Sequence, residues 1–162
     1  QLGLPWVNSG ELFRKIALDP ASDPAKVGQD LQMATQCLQQ LNRTSEIDAF
    51  REAVIAAHKD DWRVLWAAAS NYLEVQHQGF LIAGKFERGP HRGGGQAVHA
   101  TERDRVRALQ LMMQAMPAAR KDADHSAAGQ FFLDLAGMLL NQRGYAEAWR
   151  LQYLTDLSTL PA

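Results

Sequence analysis

Cysteine is nearly absent: Cys37 is the only one, which excludes an intrachain disulfide and a cysteine-built metal cluster. No apolar run approaches the roughly 20 residues that a membrane-crossing helix needs. Charge of one sign is lacking too. Seventeen Lys and Arg face eighteen Asp and Glu, for a net charge of −1, so the whole chain is not drawn to nucleic acid or an anionic membrane. Period-two alternation is missing over any useful length, and no sheet is expected.

Signatures of chemistry are equally thin. No G-x-S-x-G turn surrounds Ser70, Ser126 or Ser158. No two of the five histidines (His58, His77, His91, His99, His125) stand at the i, i+4 spacing of a helical zinc site. Glu74 and His77 form one E-x-x-H pair, where a di-iron bundle needs two. No metal, no cofactor and no enzymatic activity is expected. The chain opens at Gln1, as a processed protein or a piece of a longer one would.

What is present is helix. With 162 residues, 46% hydrophobic and 22% charged, the composition is that of one globular domain with a real core. Residues 1–23 form an N-terminal arm: 1–10 are expected to be irregular, with Leu4 and Trp6 to bury, before a short helix near 11–18 that stops by Pro20. Ser22 or Asp23 then caps a helix with Pro24 in its first turn. Its apolar stripe is Val27, Leu31, Ala34, Leu38 and Leu41, with Cys37 beside it as a small buried hydrophobe. Ser45 and Asp48 suggest a capping box for the next helix. Asp60 or Asp61 caps the helix carrying Trp62, Leu65, Trp66, Ala69 and Tyr72. Thr101 and Asp104 cap one with an apolar face of Val106, Leu109, Met113 and Met116, ended by Pro117. A further helix stops at Gly144, and a last one closes at Pro161.

The fold class is therefore all-α. Residues 24–162 make a single helical domain of about three antiparallel hairpins, 24–59, 61–116 and 126–158, with a long loop over 84–100 inside the middle one. Small and large residues recur as in a degenerate tetratricopeptide array. Phe132, Leu135, Ala136 and Leu139 are followed by Tyr145 and Ala148, and Leu65, Ala68, Ala69 and Tyr72 repeat the spacing. In such arrays the first helices line a concave face. This likeness places Arg63, Trp66, Ser70 and Glu74 there, together with Asn141.

The loop itself is unusual. "GKFERGPHRGGGQAVHATERDR" is basic and glycine-rich. From Lys85 to Arg107, six basic residues stand against three acids, a local charge of +3. Arg88, His91 and Arg92 are candidate contacts, and Gly89, Gly93, Gly94 and Gly95 the turn-makers of a structural loop. A phosphate cradle would need the P-loop spacing or a preceding strand, and neither is evident. An anionic small ligand held by the Gly/Arg loop of a stand-alone domain is the alternative reading. Arg103 and Arg107 share a helix face interleaved with Glu102 and Asp104, which suits a salt-bridged surface better than nucleic acid.

Three blocks in order carry a wider likeness: "GKFERGPHRGGG", "ERDRVRALQLM" and "NQRGYAEAWRLQYLTDLSTLP". Over roughly Leu65 to Pro161 the chain resembles the N-terminal helical region of large bacterial proteins of the alpha-2-macroglobulin family. The resemblance implies an exported, cell-envelope protein that entraps proteases, of which this chain would be a non-catalytic docking module. Its partners would be other domains of the same polypeptide or another envelope protein. The family's thioester motif, C-x-E-Q, is not found around Cys37 in "TQCLQQ", so the reactive chemistry would lie elsewhere. The resemblance also makes Arg88 and Arg92 candidate contacts of a projecting basic loop.

Overall fold

Asp23 and Asp61 set the helical frame. Each sits in extended backbone and accepts from amides of the following first turn: Ala25 N for Asp23, Arg63 N and Val64 N for Asp61. The computed structural model describes residues 4–140, with side chains from residue 7 onward. Its helices are α1 (Leu4–Leu18), α2 (Pro24–Gln40), α3 (Ile47–Ala57), α4 (Trp62–Glu74), α5 (Thr101–Ala119) and α6 (His125–Leu140). Strands β1 (Gln78–Ile82), β2 (Lys85–Arg88) and β3 (Gln96–His99) lie between α4 and α5. The chain is mostly helical, as the apolar periodicity predicts.

The expectation of no sheet is overturned. The stretch taken as a loop over 84–100 supplies β2 and β3, which flank β1 in a three-stranded antiparallel sheet of order β2-β1-β3. Ile82 pairs with Lys85, which leaves Ala83 and Gly84 as a two-residue turn. Both have positive φ, 48° and 80°, the conformation whose twist matches paired strands. Each strand has only four or five residues, too few for alternation to stand out.

Several boundaries also shift. Residues 4–10 are helical, so α1 starts well before 11. Pro5 falls in its first turn, where a missing N–H costs nothing. Gly10 is tolerated because α2 passes close by: a Cβ there would lie 2.9 Å from Cys37 Cβ. The predicted capping box at Ser45 is replaced by a 3-10 turn over Thr44–Glu46, and α3 has no side-chain cap. The backbone before α5 also goes without one, since Ala100 is its N-cap. Pro117 does not end α5; it lies in the last turn, where the helix runs on to Ala119. The buried face of α5 is Ala108, Leu109, Leu111, Met112, Ala115 and Ala119; of the predicted face, Leu109 is on it and Met113 and Met116 are partly buried against the core. α5 packs against both α4 and α6.

α4 and α5 are antiparallel. Trp62 and Arg63 at the start of α4 bond Asp122 just beyond α5, while His77 just beyond α4 meets Asp104 in the first turn of α5. The core runs through Leu31, Leu38, Val54, Leu65, Tyr72 and Phe131, all at most 2% exposed. Cys37 is buried on the α2 stripe, and burial pushes its thiol pKa up. Leu4, Trp6, Gly144, Pro161 and the second half of the 126–158 hairpin lie outside the described side chains and residues.

Gly89 has φ 90°, and a Cβ there would lie 1.8 Å from Thr44 Oγ1. Gly89→Ala should cost about 2 kcal/mol or more through strain and overpacking. Gly94→Ala, which meets nothing within 4 Å, should stay within about 0.5 kcal/mol of the parent. Urea midpoints at constant m-value measure both.

Candidate functional site

Two regions hold the residues that the sequence singles out. The first surrounds Arg88, at the end of β2. The residue is 2% exposed, and a buried charge is costly unless it is paired and hydrogen-bonded. Every donor is used. Nε and Nη2 donate to Asp48 at 2.9 and 3.2 Å; Nη1 and Nη2 donate to Asp104 at 2.9 Å each; Nη1 also donates to the Gln76 carbonyl at 2.6 Å. These five bonds match the five N–H groups of a guanidinium. Asp48 also accepts from Arg51 and Arg103, and His77 Nδ1 lies 2.8 Å from Asp104. Asp48 and Asp104 occupy the first turns of α3 and α5, where a negative charge is favoured by the helix dipole.

This corrects the expectation for the basic stretch. Arg88 is an internal clamp joining the sheet to α3 and α5, not an outward contact. Gly89 packs on Thr44, whose hydroxyl donates to the Arg88 carbonyl at 3.4 Å. His91 lies against Phe80 with ring centroids 5.8 Å apart and its Nδ1 3.9 Å from Glu87. Arg92, Gly93, Gly94 and Gly95 are exposed between β2 and β3. A cavity of about 580 Å³ along the sheet is lined by Gln78, Phe80, Pro90 and His99 among others, with no Arg or Lys in its walls among the described residues. The arginines and glycines thus do not converge on an anion.

Beside this clamp, Arg51 is wholly buried with its guanidinium 3.7 Å from the Tyr72 ring centre. Burial pulls the Arg51 pKa down. The Tyr72 hydroxyl donates to Glu52, which also receives Arg107 Nε and Nη2 at 2.8 and 2.7 Å. Burial alone would raise the Glu52 pKa, but the bonds from Arg107 and Tyr72 and the nearby positive charges bring it below the usual range. Burial and the Glu52 bond push the Tyr72 phenol well above its usual value.

The second region is a groove of about 520 Å³ between α2, α4 and α6. On α4, Arg63, Trp66, Ser70 and Glu74 stand at helical spacing on one face, with Ala67 and Asn71 among them. The opposite face, Val64, Leu65, Ala68, Ala69 and Tyr72, goes into the core. Gly28 lets α2 close on α4: a Cβ there would lie 2.6 Å from Ala67 Cβ. Gln29 and Gln32 form the α2 rim, and Gln32 reaches Glu74 at 3.4 Å. Asp134 of α6 closes the other side, accepting from Trp66 Nε1 at 3.0 Å and from Gln130 at 2.7 Å. Trp66 is half-buried, stacked on Trp62 at 5.9 Å with Phe131 against its edge. Arg63 is held by Asp122 at 2.7 and 3.2 Å, lies 3.6 Å from Asp124, and covers the Trp62 ring at 4.3 Å.

The four α4 residues expected on one face do line one groove. Asn141 lies outside the described residues, and Arg88, His91 and Arg92 belong to the separate sheet region. Sequence reasoning missed Gln29, Gln32, Asn71 and Asp134. Asn71 continues the Arg63 face, and Gln29 and Gln32 continue the polar stripe of α2, so helical spacing was the available signal. Asp134 carries none. Comparison with family models, curated proteins and solved structures gives no match.

Arg88→Met takes the guanidinium from the buried Asp104 and from the part-buried Asp48, which keeps Arg51 and Arg103, and should cost about 3–5 kcal/mol. Arg92→Ala should change stability by less than about 0.5 kcal/mol, both read from chemical denaturation. Stability should fall at both pH extremes. The lowered Glu52 pKa gives stability present above the ordinary Glu range, near about 4.3, and lost as pH drops through the folded value. The raised Tyr72 pKa gives stability present below about 10 and lost as pH climbs through its folded value. Glu52→Gln should flatten the acid limb in a denaturation series across pH.

Proposed function

We propose that this chain is a non-catalytic interaction module whose groove between α2, α4 and α6 receives a segment of another protein or of another domain of the same polypeptide. The groove carries the reading: a concave surface with a half-buried Trp, small residues on its floor and amide side chains on its rim is a docking surface in chemical terms.

The tetratricopeptide-like layout belongs to the same proposal. α2, α4 and α6 would act as first helices and α3 and α5 as second helices. Supporting this, α4 and α6 run in the same sense, with Arg63 beside Asp124 and Trp66 bonded to Asp134. Likewise, Gly28 faces Ala67 while Gln32, one turn on, reaches Glu74.

The larger context is the one that the resemblance implies: a bacterial, protease-entrapping protein of alpha-2-macroglobulin type, exported and held at the cell envelope. Two of the three blocks behind that resemblance hold both ends of the buried clamp, Arg88 in "GKFERGPHRGGG" and Asp104 in "ERDRVRALQLM". A clamp spanning two blocks gives them a joint physical reason to occur together. Nothing favours the anion-binding alternative, since Arg88 is occupied by two carboxylates.

A photo-crosslinking side chain at Gln29 or Glu74, on the groove rim, should form a discrete adduct in cells expressing the chain in its natural polypeptide. The same group at Ala56, exposed on α3, should not. Adducts of equal yield at all three positions, or none at the groove, would overturn the docking reading. Fractionation of the adduct tests the envelope context separately.

A further inference from the structure

The charge lining the groove is uneven. Among the described residues Arg63 is its only cation, and that charge is already met by Asp122 and Asp124. Two carboxylates, Glu74 and Asp134, complete the charged lining. Asp134 is held by neutral donors, the Trp66 indole and the Gln130 amide. Glu74 accepts only a long bond from the Gln32 amide. Among the described residues, neither carboxylate takes part in an ion pair. Asp134 is part-buried and Glu74 exposed at the rim, and two carboxylates on one concave surface attract cations.

Their spacing limits what can bridge them. Asp134 bonds Trp66, and Glu74 is eight residues further along α4, about 12 Å at the helical rise. An extended chain advances about 3.3 Å per residue, so four residues cover the distance. Between the carboxylates, Ala67 and Ser70 keep the floor low enough for a backbone. Gln29 places an amide at its edge, and a buried peptide backbone needs such partners.

We propose that the occupant of this groove is an extended basic segment with two cationic side chains about four residues apart. One cation pairs with Asp134 beside Trp66 and the other with Glu74. The inference rests on the docking reading above and adds the chemistry of the partner.

The probe is a fluorescein-labelled peptide with lysines at its first and fifth positions and alanines between, titrated by anisotropy near physiological salt. It should bind, and raising the salt should weaken it. Replacing both lysines by norleucine should cost at least about tenfold in affinity, and moving them to adjacent positions should also weaken binding. The double variant Glu74→Gln, Asp134→Asn should lose at least about tenfold for the lysine peptide while leaving the norleucine peptide unchanged. Circular dichroism and melting confirm that this variant is folded. Equal binding of the two peptides, or tighter binding of a glutamate version, would overturn the basic-partner proposal. If that binding is also blocked by Ser70→Trp, which fills the floor, the docking reading survives. No binding by any peptide, with groove crosslinks absent as well, would sink both.

Discussion

The Arg88 guanidinium lies between Asp48 and Asp104, and three parts of the chain meet through it: the end of β2, the first turn of α3 and the first turn of α5. Neither α3 nor α5 begins with a side-chain cap, so a carboxylate in each first turn serves the helix as well as the arginine. The short strands could not hold their place alone, since so small a sheet is marginal in water without a packed face. Backbone bonds Gly89 N to Gln78 O and Ala100 N to His77 O extend the two strand ladders, and the clamp ties the sheet to α3 and α5. A basic stretch that looks made for an external partner is therefore largely spent on the inside of the fold.

That constraint also bears on the groove, through α4. One face of α4 meets the core and α5, the other faces α2 and α6, and the helix cannot turn without moving both. The near contact of Gly28 with Ala67 and the bond from Trp66 to Asp134 fix the width of the cleft from either side. α5, whose first turn is held by Arg88, packs against α4 and meets it near both ends. The clamp and the groove lie on different surfaces, yet both depend on where α4 and α5 sit.

Much of this was legible in the residues. Asp23 with Pro24, and Asp61 before an amphipathic run, are local signals, so both helix starts follow from chemistry within four residues. The face of Arg63, Trp66, Ser70 and Glu74 follows from helical spacing alone. The sheet was not legible, because Ala83 takes positive φ without being Gly, Asn or Asp and the strands are too short for their period to register. The role of Arg88 was hidden for another reason: its partners stand 40 residues before it and 16 after it. Charge counted along the chain leaves out Asp48 and does not show that Asp104, though counted, is folded onto Arg88. Asp134 was missed likewise, since its place at the groove depends on how α6 lies against α4.

A double-mutant cycle between Arg88 and Asp104, with Arg88→Met, Asp104→Leu and the pair compared by chemical denaturation, addresses the clamp most directly. If the two side chains act as one buried unit, the double variant should be less destabilised than the sum of the singles, by about 0.5–3 kcal/mol. Additive losses would mean that the two residues contribute independently, and the sheet would then owe its position to something other than this ion pair.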